Sequence, residues 1–340
     1  MPSRPKPSIA LLATPETSPS VLYGMYDVLL SVGAVYSDLT TGNPEDSLLD
    51  VKIVAKTDKP FRCFGNVLVE PGAALDKVEE IDVAVVCDIY APIDSPPRNR
   101  YDREIDWLKR MHCKGSIIAA VCSGSLIPAE AGLLDGMACA GHWGYRDMFR
   151  RHYPKIRFRE ESILVFSGED DRLITAGGHS SWHDLALHLI ARLCGKSHAL
   201  RTAKVYLFSG HLDGQLPFAA MSRRIQKTDA VISQCQEWIA QNYASANPVA
   251  AMAERSGLNP RTFARRFHAA TGYRPMDYVH ALRIEEAKQF LESENIGIDE
   301  ISAKIGYDDP AFFRRLFKRK AGLTPAAYRR KFNRILTVGK

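Results

Sequence analysis

The chain has 340 residues and carries 45 Lys and Arg against 39 Asp and Glu, a net charge of +6; that length exceeds one ordinary core, so two domains are expected. No apolar run reaches transmembrane length, and residues 1–7 lack the apolar core of a signal peptide, which gives a cytoplasmic expectation. Seven cysteines, with no Cys-x-x-Cys spacing, argue against a disulfide framework and against a zinc module.

In chain order, the first 200 residues alternate short runs rich in Val, Ile and Ala with segments long enough for helices. The runs lie at 9–13, 51–55, 83–87 and 116–121. Continuous apolar strands of this kind are buried on both faces, so the pattern predicts an open, largely parallel, flavodoxin-like sheet in a three-layer α/β sandwich. Later, 163–166 and 173–175 flank Gly168-Glu169-Asp170-Asp171 and predict a hairpin, and 182–194 reads as the helix that closes this domain.

One point in this half is chemically suggestive. Val121-Cys122-Ser123-Gly124 places a cysteine where a buried strand meets a sharp turn and a following helix, the layout of a nucleophile elbow. A helix N-terminus there would favour the thiolate. The same residues equally describe a small cysteine packed in a strand-to-helix turn.

Ligands of open parallel sheets bind outside the carboxyl ends of the strands. That rule gathers Glu16 and Tyr23 of the first loop with Cys122, Ser123, His179, Ser180 and Trp182 as a candidate ligand pocket, to which a family resemblance adds the pair His142 and Trp143. Tyr23, Trp143 and Trp182 would form an aromatic wall suited to an alkylammonium group through cation-π attraction, although aromatic residues near a sheet edge also serve as core. His179 and His183 have the spacing of two metal ligands on a helix, but no third ligand accompanies them, so neither a metal nor a cofactor is expected.

Residues 201–228 read as a connector, in which Gly210, Gly214 and Pro217 preclude one continuous rigid helix. Residues 229–340 differ in texture: they hold 18 basic against 12 acidic side chains, whereas 1–228 hold 27 of each, so the whole positive excess lies here. After Asp309 no acidic residue occurs, while Arg314, Arg315, Lys318, Arg319, Lys320, Arg329, Arg330, Lys331, Arg334 and Lys340 follow. A basic surface confined to one domain points to a polyanion.

The same stretch contains one pattern twice. Gly257 recurs as Gly306 at an offset of 49, and Phe267, Gly272, Pro275 and Tyr278 recur as Phe317, Gly322, Pro325 and Tyr328 at 50, so one residue is inserted in the turn or at the start of the second helix. Each copy has glycine after a short helix, then Asn259-Pro260 or Asp309-Pro310 as cap and first-turn proline, then a terminating glycine. Two short helices joined by a tight glycine turn are a helix-turn-helix, so the C-terminal domain is predicted all-α with two such units. Between them 276–293 reads as one helix, with Met276, Val279, Ala287, Phe290 and Leu291 on the side facing both units.

With these residues in place, the last hundred or so positions resemble the AraC family of transcription regulators. The string Ile305-Gly306-Tyr307 through Phe313, Arg315, Phe317, Gly322, Pro325 and Tyr328 carries the likeness. The resemblance implies double-stranded DNA as partner, with each unit's second helix in the major groove about 34 Å from the other. It places Arg261, Thr262, Ala264, Arg265 and Arg266 at the DNA in the first unit, and Pro310, Ala311, Phe312, Arg314, Arg315 and Lys318 in the second. Phe263, Phe267, Phe313 and Phe317 would be core. Arg261 and Arg265 are expected to read bases, whereas the second helix offers mainly phosphate contacts.

Residues 9–194 resemble the PfpI and class I glutamine amidotransferase-like superfamily, through Ala120-Val121-Cys122-Ser123-Gly124, Gly132-Leu133-Leu134-Asp135-Gly136 and Gly141-His142-Trp143. Cys122 matches the nucleophile position and His142 the histidine of a His-Trp pair. Val21 stands where hydratase-like relatives carry an acid, and a base without an orienting acid is a poor catalyst. Glu16 is the substitute acid this loop offers. The resemblance implies a sensor (1–200), a connector (201–228) and a DNA-binding domain (229–340), in a regulator that binds a small effector, pairs through its N-terminal domain and contacts RNA polymerase, usually as an activator. The alternatives are a cysteine-dependent hydrolase or hydratase placed on DNA, and a thiol redox sensor at Cys122.

Overall fold

The computed structural model describes residues 5–43, 45–221 and 229–336, so the end of the expected connector, 222–228, and Lys340 lie outside the described residues. The chain divides into two compact units, Met1–Gln215 and Leu216–Lys340. The division falls inside the stretch read as a connector: helix Lys196–Tyr206 follows Trp182–Cys194 and packs on it, so the latter does not close the first unit.

The first unit is built on a seven-stranded sheet. Its order is Leu164–Ser167, Leu173–Ala176, Ile117–Val121, Val83–Val86, Ser8–Leu12, Asp50–Ala55 and Ala73–Ala74, and every pairing is parallel except the hairpin between the first two. Alternation explains why the central strands are apolar throughout. Ile9 and Leu11 face one layer with helices Pro19–Leu30 and Trp182–Cys194, while Ala10 and Leu12 face the other with helix Asp102–Cys113. Each side chain of Val83–Val86 is thereby buried, at about 25 cal/mol per Å² of apolar surface removed from water. The helices after Ser8–Leu12 and after Val83–Val86 lie on opposite faces, so these neighbouring strands flank a topological switch point, where their carboxyl ends open a crevice.

The second unit is helical among its described residues, and the two copies are visible in it. Helix Pro248–Arg255 turns through Gly257 (φ +65°) into Pro260–Thr271, and Ile298–Lys304 turns through Gly306 (φ +86°) into Pro310–Ala321. Both second helices have 12 residues and start on proline, so the inserted residue lies in the second turn. Asn259 Oδ1 accepts from the Thr262 amide at 2.9 Å and Asp309 Oδ1 from that of Ala311 at 2.8 Å, satisfying amides that a helix start leaves unpaired.

Helix Pro275–Ser293 joins the copies. Tyr278, Val279 and Leu282 enter the core of the first with Phe263 and Phe267; Ile284, Ala287 and Leu291 enter that of the second with Phe313 and Phe317. The inward stripe differs from the sequence expectation at Met276, which is 39% exposed, because the face turned inward is set by Tyr278, Leu282 and Ile284. That face also takes in the polar Arg283 and Lys288.

Candidate effector cleft and nucleic-acid interface

Cys122 closes the strand Ile117–Val121 with φ +56°, a left-handed conformation that a non-glycine residue adopts only under constraint. The constraint is local packing. At Gly124 a Cβ would meet the carbonyl oxygens of Cys87 and Val86 at 2.5 and 2.8 Å, so the turn is pressed against the neighbouring strand. The elbow anticipated from the sequence is therefore present.

Its electrostatics differ from the expectation of a favoured thiolate. Burial, then the nearby Asp88 carboxylate, push the Cys122 thiol well above its ordinary value, and the amide of Ser123 only partly opposes them. The 3-10 turn Cys122–Ser125 and the short helix Leu126–Glu130 that continues it do put a helix start at the thiol, but burial outweighs that favourable end.

Asp88 is the acid of this site, and sequence reasoning placed that acid in the first loop instead. It stands two residues beyond Val83–Val86, at the carboxyl edge, and its side chain is 13% exposed. One oxygen lies 2.7 Å from His179 Nδ1, and the other is hydrogen-bonded by Ser123 Oγ. His179 Nε2 in turn lies 2.9 Å from Ser20 Oγ. The hydrogen bond that His179 Nδ1 donates to Asp88, opposed by burial, raises the His179 pKa above 6.5. Glu16 turns away to Arg100 and to the Tyr101 hydroxyl, 3.1 Å from the latter, so it does not supply the missing acid.

A cleft of about 350 Å³ opens over these groups. Of the nine residues anticipated for the pocket, Cys122, Ser123, His142 and His179 line it. His142 Nδ1 accepts from the Gly144 amide at 3.0 Å, and burial, then His179, hold its pKa below 6.5. Trp143 lies tilted against His142 outside the lining, ring centres 4.8 Å apart. Tyr23 donates to the Leu68 carbonyl at 2.9 Å, Ser180 pairs with His211 at 3.2 Å, and Trp182 packs in the core against Gly24 and Phe208. The aromatic wall is instead Phe64 stacked on Tyr90, centres 4.9 Å apart, with Tyr145 beside the elbow. Tyr90 and Asp88 could have been found by applying the carboxyl-edge rule to residues 83–87; Phe64 follows the two-residue strand Phe61–Arg62 and carries no such signal. His183 stacks on Phe208 at 4.1 Å, apart from the cleft.

In the second unit the two helices Pro260–Thr271 and Pro310–Ala321 bury Phe263, Phe267, Phe313 and Phe317 and turn Arg261, Ala264, Arg265, Ala311, Arg315 and Lys318 outward. Thr262 and Pro310 are half-buried at the helix starts. Three anticipated contacts are closely engaged, and Arg315 lies 4.0 Å from Asp309 at the edge of ion-pair range. Arg266 makes a bidentate pair with Asp229, 2.9 and 2.8 Å, across 37 residues of sequence. Arg314 pairs with Asp299 on Ile298–Lys304, and Phe312 leans on the rings of His280 and Tyr307 at 5.9 and 5.6 Å. Their helix positions are compatible with a groove-facing role, so only the tertiary partners distinguish them.

An α/β unit with a cleft at its switch point, followed by a basic, duplicated helix-turn-helix, defines a transcription regulator that joins a ligand-sensing domain to a DNA-binding one. Residues 28–192 match the DJ-1/PfpI family and residues 252–331 match a helix-turn-helix domain family. This pairing of domains is that of the AraC-type helix-turn-helix regulators with a DJ-1/PfpI domain. It is 24% identical to the HTH-type transcriptional regulator CdhR of Pseudomonas aeruginosa, over 78% of this chain and 77% of that one. It is 27% identical to the HTH-type transcriptional regulator GlxA of Rhizobium meliloti, over 66% and 68%. No helix among the described residues is long and apolar enough to cross a membrane.

Proposed function

We propose that the cleft binds a small organic cation of the amine or alkylammonium class without converting it, and that occupancy alters how the C-terminal unit engages double-stranded DNA. The observation that carries this is the Asp88 carboxylate, largely buried at the floor of a cleft walled by the Phe64–Tyr90 stack. Carboxylate and aromatic faces together favour a desolvated cation. The effect on DNA is a population shift, since a ligand moves an equilibrium by its difference in affinity for the two states.

The absence of turnover is supported by two features. The Cys122 thiol is held protonated at neutral pH by burial and by Asp88. The histidine that the acid orients, His179, has Ser20 rather than Cys122 on its other nitrogen. On the DNA side, Arg261 and Arg265 read guanine edges, and Arg315 and Lys318 hold phosphates. Pairing through the first unit, contact with RNA polymerase, activation and a cytoplasmic setting complete the reading.

The test is a thermal-shift screen of the full chain against quaternary ammonium compounds, primary amines and amino acids, with each stabilising compound recovered and weighed by mass spectrometry. A hit recovered unchanged, and lost in Asp88→Asn, supports the reading. A converted product, with turnover abolished by Cys122→Ala, replaces it with a cysteine enzyme.

A further inference from the structure

Arg283 is 4% exposed in the middle of Pro275–Ser293, and no carboxylate is paired with it among the described residues. Its guanidinium is spent on three backbone carbonyls: Nε donates to Tyr243 at 2.7 Å, Nη2 to Ser245 at 2.9 Å and Nη1 to Gly306 at 2.7 Å. Tyr307 lies beneath it, 4.8 Å from Cζ to the ring centre.

The three acceptors come from two places. Tyr243 and Ser245 follow helix Ala230–Asn242, which packs on Pro248–Arg255 and Pro260–Thr271 and so belongs to the first helix-turn-helix. Gly306 is the turn of the second. Helix C-termini leave carbonyls unpaired and carry partial negative charge, so a cation where two of them converge is held by both. The contact is close: Gly306 lies against the Ala244 backbone with no room for a Cβ. Tyr243 packs into both cores.

We infer that Arg283 is a positioning residue that fixes the separation and rotation of the two DNA-reading helices, and thereby the spacing of the two half-sites the chain accepts. It touches no DNA itself. A planar fork can hold three carbonyls at once, whereas a lysine ammonium on a flexible stem cannot hold all three in that geometry. One inserted base pair shifts the second half-site by about 3.4 Å along the axis and turns it by about a tenth of a helical turn. A rigid pair of readers rejects that change, and a loosened pair follows it.

The experiment uses the full chain. The wild type first selects duplexes from a random-sequence pool, and the enriched site is rebuilt with one base pair added or removed between its half-motifs. The wild type is expected to lose about tenfold in affinity on each altered spacing, comparable to a lost base contact. Arg283→Met should keep the same half-motifs and bind all three spacings within about threefold, with Arg283→Lys between the two. A variant that keeps the wild-type spacing penalty overturns the inference, as does a folded variant that loses the half-motifs themselves. A wild type that selects one half-motif, or none, overturns the premise that both copies read together, a separate failure from that of Arg283.

Discussion

Gln215, the last residue of the first unit, gives the sharpest test of how the connector meets the cleft. Its side chain is 3% exposed and lies between the loops that carry His142 and His179: Nε2 donates to the Gly141 carbonyl at 3.0 Å and to that of Ser162 at 2.8 Å, while Gly177 has no space for a Cβ beside it. Gln215→Ala leaves the buried Gly141 carbonyl and the part-buried Ser162 carbonyl short of a donor, at about 1–3 kcal/mol each, and removes an Oε1 that is buried without a partner among the described residues, which returns about 1–3 kcal/mol. Adding one lost methylene, about 0.8 kcal/mol, the net destabilisation is about 2–4 kcal/mol. For a unit of this size that is a fall in melting temperature of about 4–16 °C, read by calorimetry of the full chain. A fall below about 1 °C would refute the docking of Gln215 and, with it, the physical link from the pocket histidines to the connector.

Other consequences can be checked separately. Arg261→Ala and Arg265→Ala should each cost about 1–3 kcal/mol of DNA binding and relax specificity at one position, whereas equal loss on every sequence assigns them to phosphates; Arg266→Ala should lower the melting temperature instead, through its pair with Asp229. Because the hydrogen bond to Asp88 raises the His179 pKa above 6.5, the protonated pair contributes stability fully present below that value and lost as pH rises through the raised one. Urea unfolding across that window should show the loss, and Asp88→Asn should abolish it. Iodoacetamide at neutral pH should modify the exposed Cys113 well before Cys122, whose thiol is buried and held protonated; peptide mass spectrometry showing Cys122 first would revive the redox or enzymatic alternatives. Phe313→Ala, which empties a fully buried site, should destabilise the second unit by about 3–5 kcal/mol.

What the sequence made legible followed from strong local chemistry. Asn259-Pro260, Asp309-Pro310 and the glycines at 257, 272, 306 and 322 mark helix ends because caps, fixed φ and left-handed turns admit few other residues. The apolar runs became parallel strands because burial on two faces leaves no polar alternation. The cleft was half legible: the elbow pattern, the family's His-Trp pair and the sheet-edge rule together named Cys122, Ser123, His142 and His179, four of the residues that line it. The edge rule failed where a side chain had to be assigned a direction. Trp182 and Tyr23 sit in the right segments yet point to core and to a loop carbonyl, and Asp88, one residue past the 83–87 run, stands in no recognisable motif. Partners distant in sequence, such as Arg266 with Asp229 or Arg283 with Tyr243 and Gly306, leave no periodic trace, since each is fixed by tertiary packing.

The central claim is that occupancy of the Asp88 cleft controls DNA binding. It is tested most directly by titrating the selected duplex with full chain in the presence and absence of a stabilising cation, for wild type and Asp88→Asn. Wild-type affinity should change by about fivefold or more, within the range of ordinary allosteric coupling, while Asp88→Asn should not respond. An equal response in Asp88→Asn, or none in the wild type, would contradict the claim.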